Sequence, residues 1–300
     1  MIKKQLTLFA ILLLSLVVRG QESYFKSDSI AFADTKWSRS IVSEGIILKK
    51  AHFSNGELFN SNQYISIVEI SPEADAKIEI FASPILKQTS SIASEAGAKI
   101  ALNGSFFKFN NSYNTEDYNS VDYIRKSNKQ LAPNTWPAKG RSMHQLGALA
   151  IFRGELFILK ADALREWEKY IQAEEVITSG PILRVNGVDE KLAKASFYTT
   201  RHPRTAVGKR EDGTILMITA DGRSAQAAGV SLIELQIIMK WLGANYAINL
   251  DGGGSTTLYI EGASDNGVVN HPTDNRKFDN KGERKVANAI LVYTNINGQQ

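Results

Sequence analysis

The 300-residue sequence predicts an α+β fold, with mixed and largely antiparallel sheets and a few flanking helices. Three observations carry that expectation. Short alternating or β-branched runs recur along most of the chain, helical periodicity is confined to three places, and strand follows strand too often for a doubly wound sheet. The composition agrees with a folded domain: 43% hydrophobic, 22% charged and only 7 Pro exclude disorder, collagen and coiled coil. The absence of cysteine excludes a disulfide framework, a thiolate metal site and a cysteine nucleophile.

From the N-terminus, Lys3 and Lys4 precede a nearly unbroken apolar run, Leu6 to Val18, which ends at Arg19-Gly20. This is the order of a secretory signal cut before Gln21, and the run is too short to span a bilayer comfortably. The expectation is a signal peptide over 1–20 and an exported protein, periplasmic or extracellular, with no stable membrane anchor. Lys3, Lys4 and Arg19 supply most of the net charge of +4. The remainder is about neutral, which argues against a nucleic-acid partner.

Strands are expected at Gly45–Phe53, Gln63–Ile70, Lys77–Ala82, Lys99–Asn103, Leu146–Phe152, Leu156–Lys160, Glu175–Thr178, Thr214–Ala220, Asn245–Leu250, Thr256–Glu261 and Val286–Thr294. Helices are expected at Thr89–Gly97, Ala161–Ala173 and Ser231–Leu242. The last is the clearest, because Ser231 and Glu234 form a capping box, an apolar face recurs from Leu232 to Leu242, and Gly243 can take the left-handed stop. Residues 110–144 read as one long irregular stretch, rich in Asn, Ser and Tyr and including Trp136. Such a composition suits sugar contacts, and equally a merely solvated insertion. One domain is expected, with 21–94 as its strand-rich N-terminal part and 95–300 as its core.

Chemistry gathers where the expected strands end. Asn103-Gly104-Ser105 closes one strand, and Ser179-Gly180-Pro181 interrupts another before the hairpin signal Asn186-Gly187. Arg201, His202 and Arg204 flank a proline ahead of an apolar segment, a pattern suited to gripping phosphate or carboxylate. Asp221-Gly222-Arg223 follows Thr214–Ala220, and Asp251-Gly-Gly-Gly-Ser255-Thr256-Thr257 follows Tyr246–Leu250. A carboxylate followed by three glycines implies that something approaches that backbone closely. Neither glycine pattern has the lysine of a P-loop or the spacing of a dinucleotide fingerprint.

In chain order, Asn103-Gly104 with Phe106-Phe107, Ser179-Gly180-Pro181, His202 to Gly208, Asp221-Gly222-Arg223, Asn249 to Thr257, and Glu283-Arg284 leading to Val286–Ile290 resemble the phosphodiester glycosidase family. The resemblance spans about 95 to 293 and leaves the N-terminal third unmatched. It implies cleavage between a sugar anomeric carbon and a phosphate oxygen, with a carbohydrate or sugar-phosphate substrate.

That chemistry needs an anion clamp more than a proton donor, because a phosphomonoester is already a good leaving group. Arg204, Arg223 and the amides around Gly252, Gly253, Gly254 and Ser255 can form the clamp. Asp221 and Asp251 are the candidate carboxylate pair. Asn103 and Asn249 would hold sugar hydroxyls or those carboxylates, and Gly104, Ser179, Gly180, Thr205 and Thr256 complete the expected binding set. Glu283 is a reserve carboxylate and Arg284 a reserve clamp. Two other readings remain open: a non-catalytic glycan-binding module, and a Ca²⁺-dependent phosphodiesterase with Asp221 and Asp251 as oxygen ligands.

Overall fold

The computed structural model describes residues 26–109, 112–135, 140–263 and 266–294. The expected signal segment and Trp136 lie outside these residues. The architecture is α+β, built from three sheets whose named strands all pair antiparallel.

The largest sheet holds, in spatial order, β1 (Ser38–Ser43), β2 (Ile46–Leu58), β3 (Ser61–Ile70), β14 (Ile215–Ala220), β13 (Arg204–Arg210), β15 (Ala244–Asn249), β11 (Ile182–Val185) and β12 (Val188–Asp189). A five-stranded sheet runs β7 (Lys129–Ala132), β6 (Ile124–Lys126), β10 (Glu175–Ser179), β8 (Gly147–Phe152) and β9 (Glu155–Lys160). A four-stranded sheet runs β16 (Leu258–Ile260), β5 (Ile100–Asn103), β17 (Val286–Thr294) and β4 (Ala76–Lys87).

All three sheets present one face to a shared core. Val68, Met217 and Ile248 of the large sheet meet Ile80, Leu102 and Ile290 of the four-stranded sheet and Leu149 and Ile177 of the five-stranded sheet. Because side chains alternate across a strand, the neighbouring residues face outward, where other elements cover them. Ile65, Ile67, Leu216 and Ile218 lie under Leu232, Leu235, Ile238 and Met239 of helix α4 (Leu232–Trp241), which follows the single-turn helix α3 (Ser196–Thr199) in the chain. Phe32, in the helical residues 26–34 (α1), stacks on Phe53 within the same cluster. Ala101 and Leu291 meet Ile92 of helix α2 (Thr89–Ala96). Two buried faces explain why these strands read as apolar runs rather than strict alternations.

Two expectations are corrected. Ala161–Ala173 is not a helix; it carries only a 3₁₀ turn, Trp167–Tyr170, entered through Glu166 at φ 58°. Trp167 buries there as a single anchor under the five-stranded sheet while Leu164 stays exposed, so no continuous apolar face forms. Residues 110–144 are not irregular throughout. They include the β6–β7 hairpin, turned by Ser127 and Asn128, both in the left-handed region. The turn contains no glycine to announce it.

Antiparallel pairing brings the chemistry together. Arg204 opposes Ala220 and Ala206 opposes Asn249, so the start of β13 lies between the ends of β14 and β15. The end of β5 joins them, since the Asp251 N–H donates to the Gly104 carbonyl at 3.0 Å.

Candidate active site

Asp251 leaves the end of β15 with its backbone fixed on both sides. Its carbonyl accepts from Asn103 Nδ2 at 2.7 Å, and its carboxylate Oδ1 accepts the Gly252 N–H at 2.9 Å. The residue remains partly exposed. Burial by the surrounding chain pushes its carboxyl up to about 6, against the pull of the Ser255 hydroxyl, the Gly252 N–H and Arg284.

The three glycines that follow are approached by the chain itself. Gly253 sits at φ 62°, and a Cβ there would come 3.0 Å from the Arg223 guanidinium. A Cβ on Gly254 would overlap the Asp274 carboxylate, which Arg284 grips at 2.7 and 2.8 Å. The glycines thus let charged side chains lie flat against the loop beside Asp251. Arg284, expected as a reserve clamp, is held by that ion pair and by the Phe109 ring 5.0 Å away.

Arg204 and Arg223 stand next to this loop. Arg204 is 3% exposed and donates to the carbonyls of Val230, Phe197 and Thr200 at 3.2, 2.7 and 3.1 Å, with its guanidinium over the Phe197 ring. Among the described residues no carboxylate forms an ion pair with either arginine. Burial and the nearby Arg223 pull Arg204 down to about 10, while Asp251 opposes the shift. Burial and the same two guanidiniums lower His202. Two uncompensated cations beside one carboxyl make a pocket that favours an anion.

Asp221 behaves differently from Asp251, so the two do not form a matched pair of open carboxylates. It is 1% exposed, and its oxygens accept from Asn270 Nδ2 at 2.8 Å, the His271 N–H at 3.0 Å and His271 Nδ1 at 2.7 Å. His271 is stacked on Phe278 with centroids 3.8 Å apart and meets the Tyr64 edge. Among the described residues no three His, Asp or Glu side chains gather as a metal-ligand group.

Most of the remaining expected binders are engaged by the chain. Asn103 Oδ1 accepts from Thr205 Oγ1 and the Thr257 N–H, at 2.8 and 3.1 Å. Asn249 Nδ2 donates to the Gly180 and Leu250 carbonyls, and Ser179 Oγ donates to the Asn249 carbonyl. Gly180 packs so tightly on the Met143 carbonyl that a side chain would clash, and Gly104 does the same against Asn288. Ser255 and Thr256 are buried within the glycine loop. Glu283 lies away from this cluster, where it accepts the Ser90 N–H near the start of α2.

The structure adds residues that no motif flagged. His144 Nδ1 bonds the carboxylate of Asp122, a fully buried residue whose carboxylate also lies 3.1 Å from Ser105 Oγ. Burial pushes Asp122 up to about 6, against the pull of His144 and Ser105. The signal available in the sequence was histidine scarcity: of four, two bond buried aspartates.

Residues 96–293 match the family model described as phosphodiester glycosidase. The chain belongs to the phosphodiester glycosidase family. It is 35% identical over 119 residues to the mouse N-acetylglucosamine-1-phosphodiester alpha-N-acetylglucosaminidase, covering 39% of this chain and 22% of the mouse protein. An SPbeta prophage-derived protein of Bacillus subtilis, YomE, is 40% identical over 68 residues, covering 23% of this chain and 11% of that protein. The chain therefore spans less than a quarter of the length of these relatives. The catalytic domain of the zebrafish N-acetylglucosamine-1-phosphodiester alpha-N-acetylglucosaminidase, in a form auto-inhibited by its pro-peptide, shares the fold with a TM-score of 0.59 at 16% identity. That match covers 86% of this chain and 87% of the zebrafish chain.

Proposed function

We propose that this family member is an exported hydrolase that cleaves the bond between a sugar's anomeric carbon and a phosphate oxygen, in a sugar-1-phosphodiester of a glycan or cell-surface polymer. The observation that supports this most is the loop after Asp251: the Arg223 guanidinium lies against Gly253 and the backbone of Arg204 against Gly252, and among the described residues neither arginine forms an ion pair with a carboxylate. Arg204 and Arg223 attract the phosphodiester and take up charge as it leaves. Asp251 faces the positive charge that builds at the anomeric carbon. Asp221 serves through His271 and Asn270 rather than as a second open carboxylate.

The names of the relatives make N-acetylglucosamine-1-phosphodiesters the first substrates to test. Incubation with a panel of sugar-1-phosphodiesters should release reducing sugar and phosphomonoester in equal amounts. Binding without turnover across the panel would favour a glycan-binding module, and loss of turnover in a chelator would favour a Ca²⁺-dependent enzyme. Export rests on the N-terminal pattern and is tested by N-terminal sequencing of the exported protein, which should begin near Gln21.

A further inference from the structure

Two short segments tie Asp251 to a histidine outside the expected motifs. In the first, the Gly104 carbonyl accepts the Asp251 N–H at 3.0 Å. The Oγ of its neighbour Ser105 lies 3.1 Å from the Asp122 carboxylate, and Phe106 lies with its ring centroid 5.3 Å from that of His144. In the second, the Thr178 carbonyl accepts from Ser105 Oγ at 2.7 Å, the Gly180 carbonyl accepts from Asn249 Nδ2 at 2.8 Å, and Gly180 packs against the Met143 carbonyl. The turn carrying His144 and the loop carrying Asp251 are therefore braced against the same two strand ends. Phe106 also lies with its ring centroid 6.4 Å from that of Phe197, and the Arg204 guanidinium sits 4.9 Å over the Phe197 ring, so His144 and Arg204 flank the same pair of aromatic rings.

The Asp122 bond fixes the ring. A buried carboxylate accepting from Nδ1 makes that nitrogen the N–H and leaves Nε2 as the basic nitrogen. The His144 side chain is 20% exposed, so the imidazole is open to water while Asp122 is fully enclosed. His271 has the same kind of aspartate partner, but its ring is stacked on Phe278 and met edge-on by Tyr64.

We infer that His144 is a further catalytic residue of the hydrolysis proposed above, a general base held in place by Asp122; this rests on that reading of the site. As the bond from the anomeric carbon to the phosphate oxygen breaks, its electron pair leaves with the phosphate. The oxygen of a water bonds to that carbon, and one of its protons passes to His144 Nε2. The imidazolium is stabilised by Asp122 and then returns the proton to the released phosphomonoester or to solvent. Asp122 is a positioning residue, since it acts only through His144.

The test compares wild type, His144→Gln and His144→Ala on the sugar-1-phosphodiester that wild type turns over best, with thermal midpoints measured on the same preparations. Proton transfer by a positioned side chain accelerates a reaction about 10²–10⁴-fold, so kcat should fall by that factor with KM within about threefold of wild type. Free imidazole should restore part of the turnover of His144→Ala and leave that of wild type unchanged. A kcat within threefold of wild type in His144→Gln, or a loss confined to KM, overturns the inference while leaving the hydrolase reading intact. Loss of the cooperative melt in both variants would assign His144 to the fold and also overturn it. No turnover by wild type on any sugar-1-phosphodiester removes the hydrolase reading, and this inference with it.

Discussion

Asp251 and Asp122 are carboxyls that burial pushes up to about 6, which links chemistry to stability with a definite sign. An acid whose native pKa lies above its unfolded value, near 4, binds its proton more tightly in the native state. Ionising it costs native stability, a cost fully present above pH 6 and absent below pH 4. Asp251→Asn keeps an oxygen for the Gly252 N–H and removes the charge. The variant should therefore be more stable than wild type at pH 7 by on the order of 1 to 2 kcal/mol of unfolding free energy after discounting for partial exposure, read as a higher midpoint, and the gain should vanish toward pH 4. Turnover should fall by several orders of magnitude in the same preparation. An unchanged turnover with a lower midpoint would make Asp251 a loop cap instead. Asp221→Asn should behave oppositely at neutral pH. Its two oxygens accept three donors, and an amide presents an N–H to one of them, so the unfolding free energy should fall by about 1 to 3 kcal/mol, read as a lower midpoint.

Local signals made some elements legible in the sequence and tertiary ones hid the rest. Helix α4 was readable because its start is written within four residues: Ser231 Oγ accepts the Glu234 N–H at 3.1 Å, and Glu234 returns the bond to the Ser231 N–H at 2.8 Å. Ser231→Ala should therefore cost about 1 kcal/mol of unfolding free energy, read as a lower thermal midpoint. Asp221 and Asp251 were equally legible, as carboxylates leaving apolar strands for glycine. The Asp122–His144 pair was not, since the two lie 22 residues apart and meet only through the pairing of β6 with β10 and the packing of Gly180. Ala161–Ala173 misled for the converse reason. Its apolar spacing suited a helix locally, but one buried tryptophan satisfied the sheet.

At the scale of the whole molecule, the family match begins at residue 96, yet the sheets do not. β3 pairs with β14, whose end carries Asp221, and β4 pairs with β17 along most of its length. The N-terminal strands also supply Ile46, Leu48, Val68, Ile70, Ile78 and Ile80 to the core shared by all three sheets. Burying each such side chain contributes about 1.5 to 3 kcal/mol, against a net stability of roughly 5 to 15 kcal/mol for a typical domain. A fragment spanning only 96–294 would lose those six side chains and leave β14 and β17 with unpaired edges. It should lack a cooperative thermal transition and show no turnover, whereas the chain from residue 26 onward should retain both. Calorimetry and the sugar-release assay on the two fragments would decide the matter. A cooperative melt from the shorter fragment would mean that the matched region folds alone and that the N-terminal strands are an accessory layer.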